Sequence, residues 1–302
     1  MGAAAPKKKG EVTAWPLLPS QNSGWVTSVE QKLPGTRTLY LSTADQVAWD
    51  MEFSQLGELL DEEGFPAYEA GFQVASEARF RPGWTYRKSV NTAVFGPLVS
   101  KEFGVFRDGN EIGGYLPLLA DGRGNPGGIE LSKATSVLYR NGKETGRNSD
   151  PLAGEEVFRV PAAAADYRLK ATVRHSAKIS PLSTRVDVDW TFRSKKTGDH
   201  TPLPVSTVRF SPEVAADGTA KAGKTVTVPV KVQGAAAGKN LKSLTTYVSH
   251  DGGKNWKKVP VKKGKITVKN PAKGKAVSFA AKVTDKKGNT SKVRIYSAYL
   301  GK

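Results

Sequence analysis

Short runs in which apolar and polar residues alternate, each closed off by Gly, Pro, Asn or Asp, recur along this chain, while helical periodicity is almost absent. Alternation with a period of two puts successive side chains on opposite faces of a strand, so a chain written this way folds as strands with one face inward. The expected class is all-β, built as two or three β-sandwich domains. One stretch departs from the pattern: Gln55 to Glu63 (QLGELLDEE) sets Leu56, Leu59 and Leu60 at helical spacing and is a candidate short helix.

Charge divides the chain sharply. The last 86 residues hold 19 Lys, one Arg and three Asp, so they carry nearly all of the net charge of +18, while residues 1–216 are close to neutral. Such a step marks a separate folding unit. With 302 residues available, each of two or three domains can bury an adequate core. The division expected is a basic disordered start at 1–10, a β-rich domain at 11–97, a β-sandwich at 98–200 and a Lys-rich module at 201–302.

The first of these regions carries four of the six Trp, namely Trp15, Trp25, Trp49 and Trp84, among strand-like runs such as Thr38 to Leu41 and Val47 to Phe53. Buried core is the expectation for them, and an exposed platform on which sugar rings stack is the alternative. In the second region Asn141-Gly142 signals a type I′ hairpin turn. Val186, Val188, Trp190 and Phe192 alternate with polar residues, which makes that strand half-buried. The third region divides into seven strands, near 205–210, 225–232, 243–249, 256–262, 265–269, 276–284 and 291–299. Seven strands in about a hundred residues is the arithmetic of an immunoglobulin-like or fibronectin-like sandwich.

Chemistry-bearing groups are few. There is no Cys, so disulfides, thiolate metal sites and thiol nucleophiles are excluded together. The three His, at 175, 200 and 250, lie far apart, and none sits in a Gly-rich elbow or at a spacing that binds metal. His175, His200 and His250 are expected at the surface or at strand ends. Glu58, Asp61, Glu62 and Glu63 are adjacent in sequence rather than held across a cleft, as an acid pair for glycoside hydrolysis would be. The run Asp121 to Gly128 (DGRGNPGG) lacks the signature of a phosphate or calcium loop and reads as a flexible connection. No catalytic residue, cofactor site or metal site is expected. Ser249 to Trp256 (SHDGGKNW) resembles the Asp-box, with Asn255 where Thr is usual; the resemblance implies a structural turn built by Ser249, Asp251, Gly253 and Trp256.

The charged field is almost all Lys, whereas surfaces that read nucleic-acid sequence favour Arg and interleave aromatics. Lys258, Lys262, Lys265 and Lys269 flank or alternate with apolar strand positions, which makes them a solvent face; attraction to an anionic polymer or cell envelope is the alternative. Specific nucleic-acid recognition is not expected, nor is membrane insertion, since no run of about 18 apolar residues exists.

Leu203 to Lys302 closely resembles the C-terminal module of large secreted subtilisin-like serine peptidases of actinobacteria. The segments that carry this are Leu203 to Phe210 (LPVSTVRF), Gly234 to Leu241 (GAAAGKNL), Ser249 to Lys258, Lys265 to Pro271 (KITVKNP), Val283 to Asn289 (VTDKKGN) and Tyr299 to Lys302 (YLGK). Ser89 to Pro97 (SVNTAVFGP), Ala165 to Leu169 (ADYRL) and Thr184 to Arg193 (TRVDVDWTFR) continue it more weakly upstream. The Asp, His and Ser motifs of subtilisin-like catalysis do not occur in these residues, so no catalytic role carries over to any position. The resemblance implies a non-catalytic β-rich tail of an exported protease, with an extracellular or cell-envelope location. Its implied partners are a peptidase catalytic domain and an anionic envelope polymer. Met1 to Gly10 (MGAAAPKKKG) is basic but has no apolar stretch behind it, so it is not a secretory signal; the start is either that of a cytoplasmic chain or an internal point of a longer one.

Overall fold

The computed structural model describes residues 8–17, 26–27, 30–60 and 64–302, and among them strands dominate; the helical pieces are two single 3₁₀ turns, Ala44–Gln46 and Gly238–Asn240. No helix among the described residues is long and apolar enough to cross a membrane. The class is all-β, as the alternation required. The basic start lies outside the described residues up to residue 7.

The first sheet is built from β1 (Lys9–Leu17), β2 (Val26–Thr27), β3 (Gln31–Lys32), β4 (Ala48–Leu60) and β5 (Pro66–Arg79). The helix expected over 55–63 is instead the second half of β4, and 61–63 lie outside the described residues. Gln55 and Leu56 pair with Gly10 and Lys9 on one side and with Ala70 and Tyr68 on the other. Two ladders satisfy the β4 backbone, an arrangement that one short isolated helix cannot match. Trp49 is buried, with its indole N–H donated to the Ser42 carbonyl at 2.9 Å, and Trp15 is half-buried. Trp25 lies outside the described residues. Trp84 departs from the expected core and is 65% exposed, and Thr38 to Leu41 forms no strand, leaving Tyr40 at the surface.

The chain continues through β6 (Gly104–Asp108), β7 (Glu111–Tyr115), β8 (Gly127–Ile129), β9 (Leu131–Arg140), β10 (Lys143–Asn148), β11 (Phe158–Arg159), β12 (Ala165–His175), β13 (Arg185–Ser194) and β14 (Thr201–Pro202). The sheet β11-β7-β6-β14 covers the strands β10-β9-β12-β13. Between them the Arg107 guanidinium lies 5.8 Å from the Tyr167 ring centroid. Asn141 and Gly142 join β9 to β10 with φ of 50° and 83°, the positive values that a type I′ turn demands at both central positions. Val186, Val188, Trp190 and Phe192 of β13 are all buried.

The last sandwich comprises β15 (Ser206–Phe210), β16 (Thr219–Ala220), β17 (Thr225–Gly234), β18 (Leu241–Ser249), β19 (Lys257–Val259), β20 (Lys265–Lys269), β21 (Ala276–Asp285) and β22 (Thr290–Gly301). Seven of these match the seven expected strands; β16, a two-residue parallel pairing onto β22, is the addition. Three strands, β15-β17-β20, face four, β22-β21-β18-β19. Phe210 stacks on Phe279 across the gap at 4.6 Å. Lys258, Lys262, Lys265 and Lys269 are exposed, as their alternation with apolar positions requires.

Hydrogen bonding runs across the boundaries expected at residues 97 and 200. β8 joins the first sheet through Ala70↔Ile129, across residue 97. β13 pairs with β22 over seven residue pairs, from Arg185↔Tyr296 to Thr191↔Thr290, so the second and third sandwiches share one nine-stranded sheet across residue 200. Buried apolar side chains form one continuous cluster from Ala14 to Tyr299.

Candidate functional site

Ser249 to Trp256 forms the turn between β18 and β19. The Ser249 hydroxyl donates to Asp251 Oδ1 at 2.7 Å and accepts the Gly253 N–H at 2.9 Å. Asp251 in turn accepts the Asn255 N–H at 3.0 Å and its side-chain amide at 2.7 Å. The Asn255 N–H, the Ser249 hydroxyl and the Asn255 amide hold the Asp251 carboxyl well below the ordinary carboxylate range. Gly253 has φ of 85°, and a Cβ there would meet the Tyr296 ring at 2.4 Å. Trp256 meets Tyr296 edge-on at 6.0 Å. Ser249, Asp251, Gly253 and Trp256 are thus brought together into a turn fastened to β22, and Ser249, Asp251 and Trp256, with Val248, His250, Asn255 and Lys257, line an open groove of about 340 Å³.

Asp251 and Asn255 belong to a pattern that strand periodicity does not reveal. Asp121 with Asn125, and Asp285 with Asn289, have the same spacing of four. In each, the Asp carboxylate accepts the N–H of the second and fourth residues on, at 2.9–3.0 Å, and the Asn amide donates back to it at 2.7–2.9 Å. The run from Asp121 to Gly128 is therefore a pinned loop rather than the flexible connection expected. A search for Asp-x-x-x-Asn between strands would have found it. Arg209, on β15, seals the same loop to the last sandwich. Its guanidinium donates to the carbonyls of Gly96 at 2.6 Å, Pro97 and Ala120 at 3.3 Å, and Asp121. Burial pushes its pKa down to about 10.

The histidines are held apart. His175 is buried at the end of β12, not at the surface, with its ring nitrogens 3.2 Å and 3.1 Å from the carbonyls of Ser176 and Ser183. Burial lowers its pKa against the pull of those carbonyls. His200 packs tilted against Phe106 with ring centroids 4.0 Å apart, and His250 Nε2 lies 2.8 Å from the Lys269 carbonyl. Among the described residues no three His, Cys, Asp or Glu side chains converge as a metal site would need. Asp61, Glu62 and Glu63, and the side chain of Glu58, lie outside the described residues.

A charge network lies on the solvent side of the shared sheet. Arg168 on β12 grips Asp189 on β13 with two bonds of 2.8 Å and 2.6 Å, and Lys292 on β22 approaches the same carboxylate at 3.9 Å. Burial raises the Asp189 carboxyl; the Arg168 bonds, with Lys292 and Lys170 nearby, outweigh it and hold the group below its usual range. Asp187 takes Arg185 at 2.7 Å, Thr172 at 3.0 Å and the Tyr296 hydroxyl at 3.2 Å. A second cluster, in the first region, joins the exposed Arg81, Trp84 and Tyr86 to the half-buried Phe80. The Arg81 guanidinium lies 5.5 Å from the Trp84 ring centroid, and Phe80 and Tyr86 meet edge-on at 5.0 Å.

These features define an all-β protein of fused sandwiches with a charged sheet face. No family model matches its sequence, and neither does any curated protein. Among solved structures, the insect immune protein hemolin, described as having a new domain arrangement with implications for homophilic adhesion, aligns over 96% of this chain and 67% of its own at 12% identity. The TM-score is 0.19, too low for the likeness to bear on fold or function.

Proposed function

We propose that this chain is a non-catalytic accessory region of a secreted subtilisin-like serine peptidase, which positions the enzyme or binds its envelope or substrate. The observation that carries the reading is the seam between β13 and β22. Seven residue pairs of ladder, with Arg209 clamping the loops before it, make the second and third sandwiches one stiff arm. A positioning element needs such stiffness, because a hinge between its halves would dissipate any orientation it imposed. The sequence resemblance to peptidase tails supplies the class of enzyme.

The test joins the chain to a subtilisin-like catalytic domain and compares hydrolysis of an insoluble protein substrate with that of a soluble peptide, with and without the chain. A gain confined to the insoluble substrate is expected. Casein cleavage by the purified chain alone, stopped by a serine-directed inhibitor, would sink the proposal.

A second reading, carbohydrate binding, has one specific support: Trp84 is 65% exposed and stacked beside Arg81, as a ring that receives a sugar face would be. It predicts retention on a glycan array that Trp84→Ala abolishes. No retention on any glycan ends it.

A further inference from the structure

Opposed residues of an antiparallel ladder share a face, so the registers give the composition of the shared sheet's outer side. One row runs Lys170, Asp189, Lys292, Lys282 and Thr245 across β12, β13, β22, β21 and β18. The next runs Thr172, Asp187, Arg294, Ala280, Tyr247 and Lys258, ending on β19. Two carboxylates therefore face a field of cations, and both are already engaged on the β12–β13 side, by Arg168 and Arg185. On the β21–β22 side Lys282 stands directly opposite Lys292, both exposed, with Thr245 as the other neighbour of Lys282. Like charges directly opposed on a sheet destabilise it; Asp189, 3.9 Å from Lys292, offsets one member of the pair, while among the described residues Lys282 forms no ion pair with a carboxylate.

We infer that this face, straddling the seam, is the binding site for an extended, flexible polymer that carries an oxyanion on each repeat and lies across the strands. The inference rests on the accessory reading and names its ligand class. Strands stand about 4.8 Å apart, so the five steps from Lys170 on β12 to Lys258 on β19 span roughly 24 Å, with cations at intervals that a polymer charged on every repeat can meet. Twist of about 20–25° per strand turns the row progressively. A flexible chain follows that turn, whereas a rigid duplex touches only part of it. Ammonium groups act as point charges without a fixed fork, which suits a repeating charge and gives no sequence reading. The site draws on β12 and β13 as well as β21 and β22, so it belongs to the fused pair of sandwiches and not to the Lys-rich module alone.

The experiment uses the full chain, with inorganic polyphosphate, heparin and duplex DNA as probes, by fluorescence anisotropy over a salt series. The Lys282→Gln/Lys292→Gln double variant is compared with Lys263→Gln/Lys275→Gln, which removes the same charge from turns elsewhere in the module. The first should weaken polyphosphate binding at least about tenfold and lower the magnitude of the slope of log K against log salt by about one to two. It should also keep or raise the melting midpoint, which separates lost binding from lost fold. The control should shift affinity less than about twofold. Polyphosphate and heparin binding alike supports oxyanion chemistry as such; binding of one alone assigns it to phosphate or to sulfate. Equal effects of the two double variants, absence of binding, or duplex DNA bound as tightly as polyphosphate overturns the site. Loss of binding in the first variant with the gain on insoluble substrate unchanged would remove this ligand and leave the accessory reading standing.

Discussion

Replacing Trp190 by Phe tests the seam at its centre. Trp190 is 1% exposed on β13, and its indole N–H donates to the Ser206 carbonyl, on β15 of the last sandwich, at 2.7 Å. The Ser206 N–H is taken by the Ser291 hydroxyl of β22 at 3.1 Å. Both main-chain groups of Ser206 thus point away from their ladder partner β17 and are met by side chains from the two strands that form the seam. Phe removes the donor and leaves a buried carbonyl bare, which costs about 1–3 kcal/mol. The smaller ring also leaves roughly 40 Å³ unfilled, worth about 1 kcal/mol at ~24 cal/mol per Å³. The sum is about 2–4 kcal/mol, read as a fall in the urea midpoint at unchanged slope. A shared sheet means the two sandwiches unfold together, so far-UV circular dichroism and fluorescence of the remaining Trp should move as one transition. A loss under about 1 kcal/mol, or a melt that splits so that only one sandwich shifts, would refute the account of Ser206 and of the seam.

Arg209→Lys keeps the charge but replaces a planar fork by a point donor that cannot span four carbonyls; it should cost about 1–3 kcal/mol by urea unfolding, and an unchanged midpoint would mean the clamp is dispensable. His175 has a folded pKa lowered by burial, so its contribution is present above its unfolded pKa of about 6.5 and is lost as pH falls through the folded value. The chain should weaken between neutral and mildly acidic pH, and His175→Gln should flatten that slope; identical slopes would exclude His175 as the cause. Asp251 titrates below the ordinary carboxylate range, so its carboxyl shift by NMR should stay constant as pH falls through the range where other Asp side chains protonate. Asp251→Ala should disturb the near-UV signal of Trp256 while leaving far-UV ellipticity intact, and an unaltered Trp256 environment would show that the turn holds without its carboxylate.

The last hundred residues were the most legible part. Apolar residues at alternate positions, Val226, Val228, Val230 and Val232 on one strand and Val277, Phe279, Ala281 and Val283 on another, fall on the inward side because period two leaves no other choice once one face is buried. Asn141-Gly142 was legible for a different reason, since few residue pairs tolerate two positive φ values. Leu56 misled because three leucines at helical spacing outweighed the neighbouring strands in a local window, and pairing with β1 and β5 decided the matter. Trp84 misled because ring size argues for burial, while in the fold the ring is 65% exposed with the Arg81 guanidinium against it. His175 lies at a strand end, as its sequence context suggested, but nothing local announced that it would be buried there.

Composition and periodicity by themselves determined that this chain folds as strands, where the Asn141-Gly142 turn falls, where seven of the last module's eight strands lie, and that its Lys258, Lys262, Lys265 and Lys269 side chains face solvent. Those properties follow from local rules, because a strand's two faces and a turn's dihedrals are set by a few adjacent residues. Tertiary structure alone decided that β13 runs beside β22, that Arg209 reaches the carbonyls of Gly96 and Asp121, and that Lys282 and Lys292 share one face with Asp189 and Lys170. Edge-to-edge pairing depends on backbone groups that every residue carries alike, so no side-chain pattern announces which strands will meet.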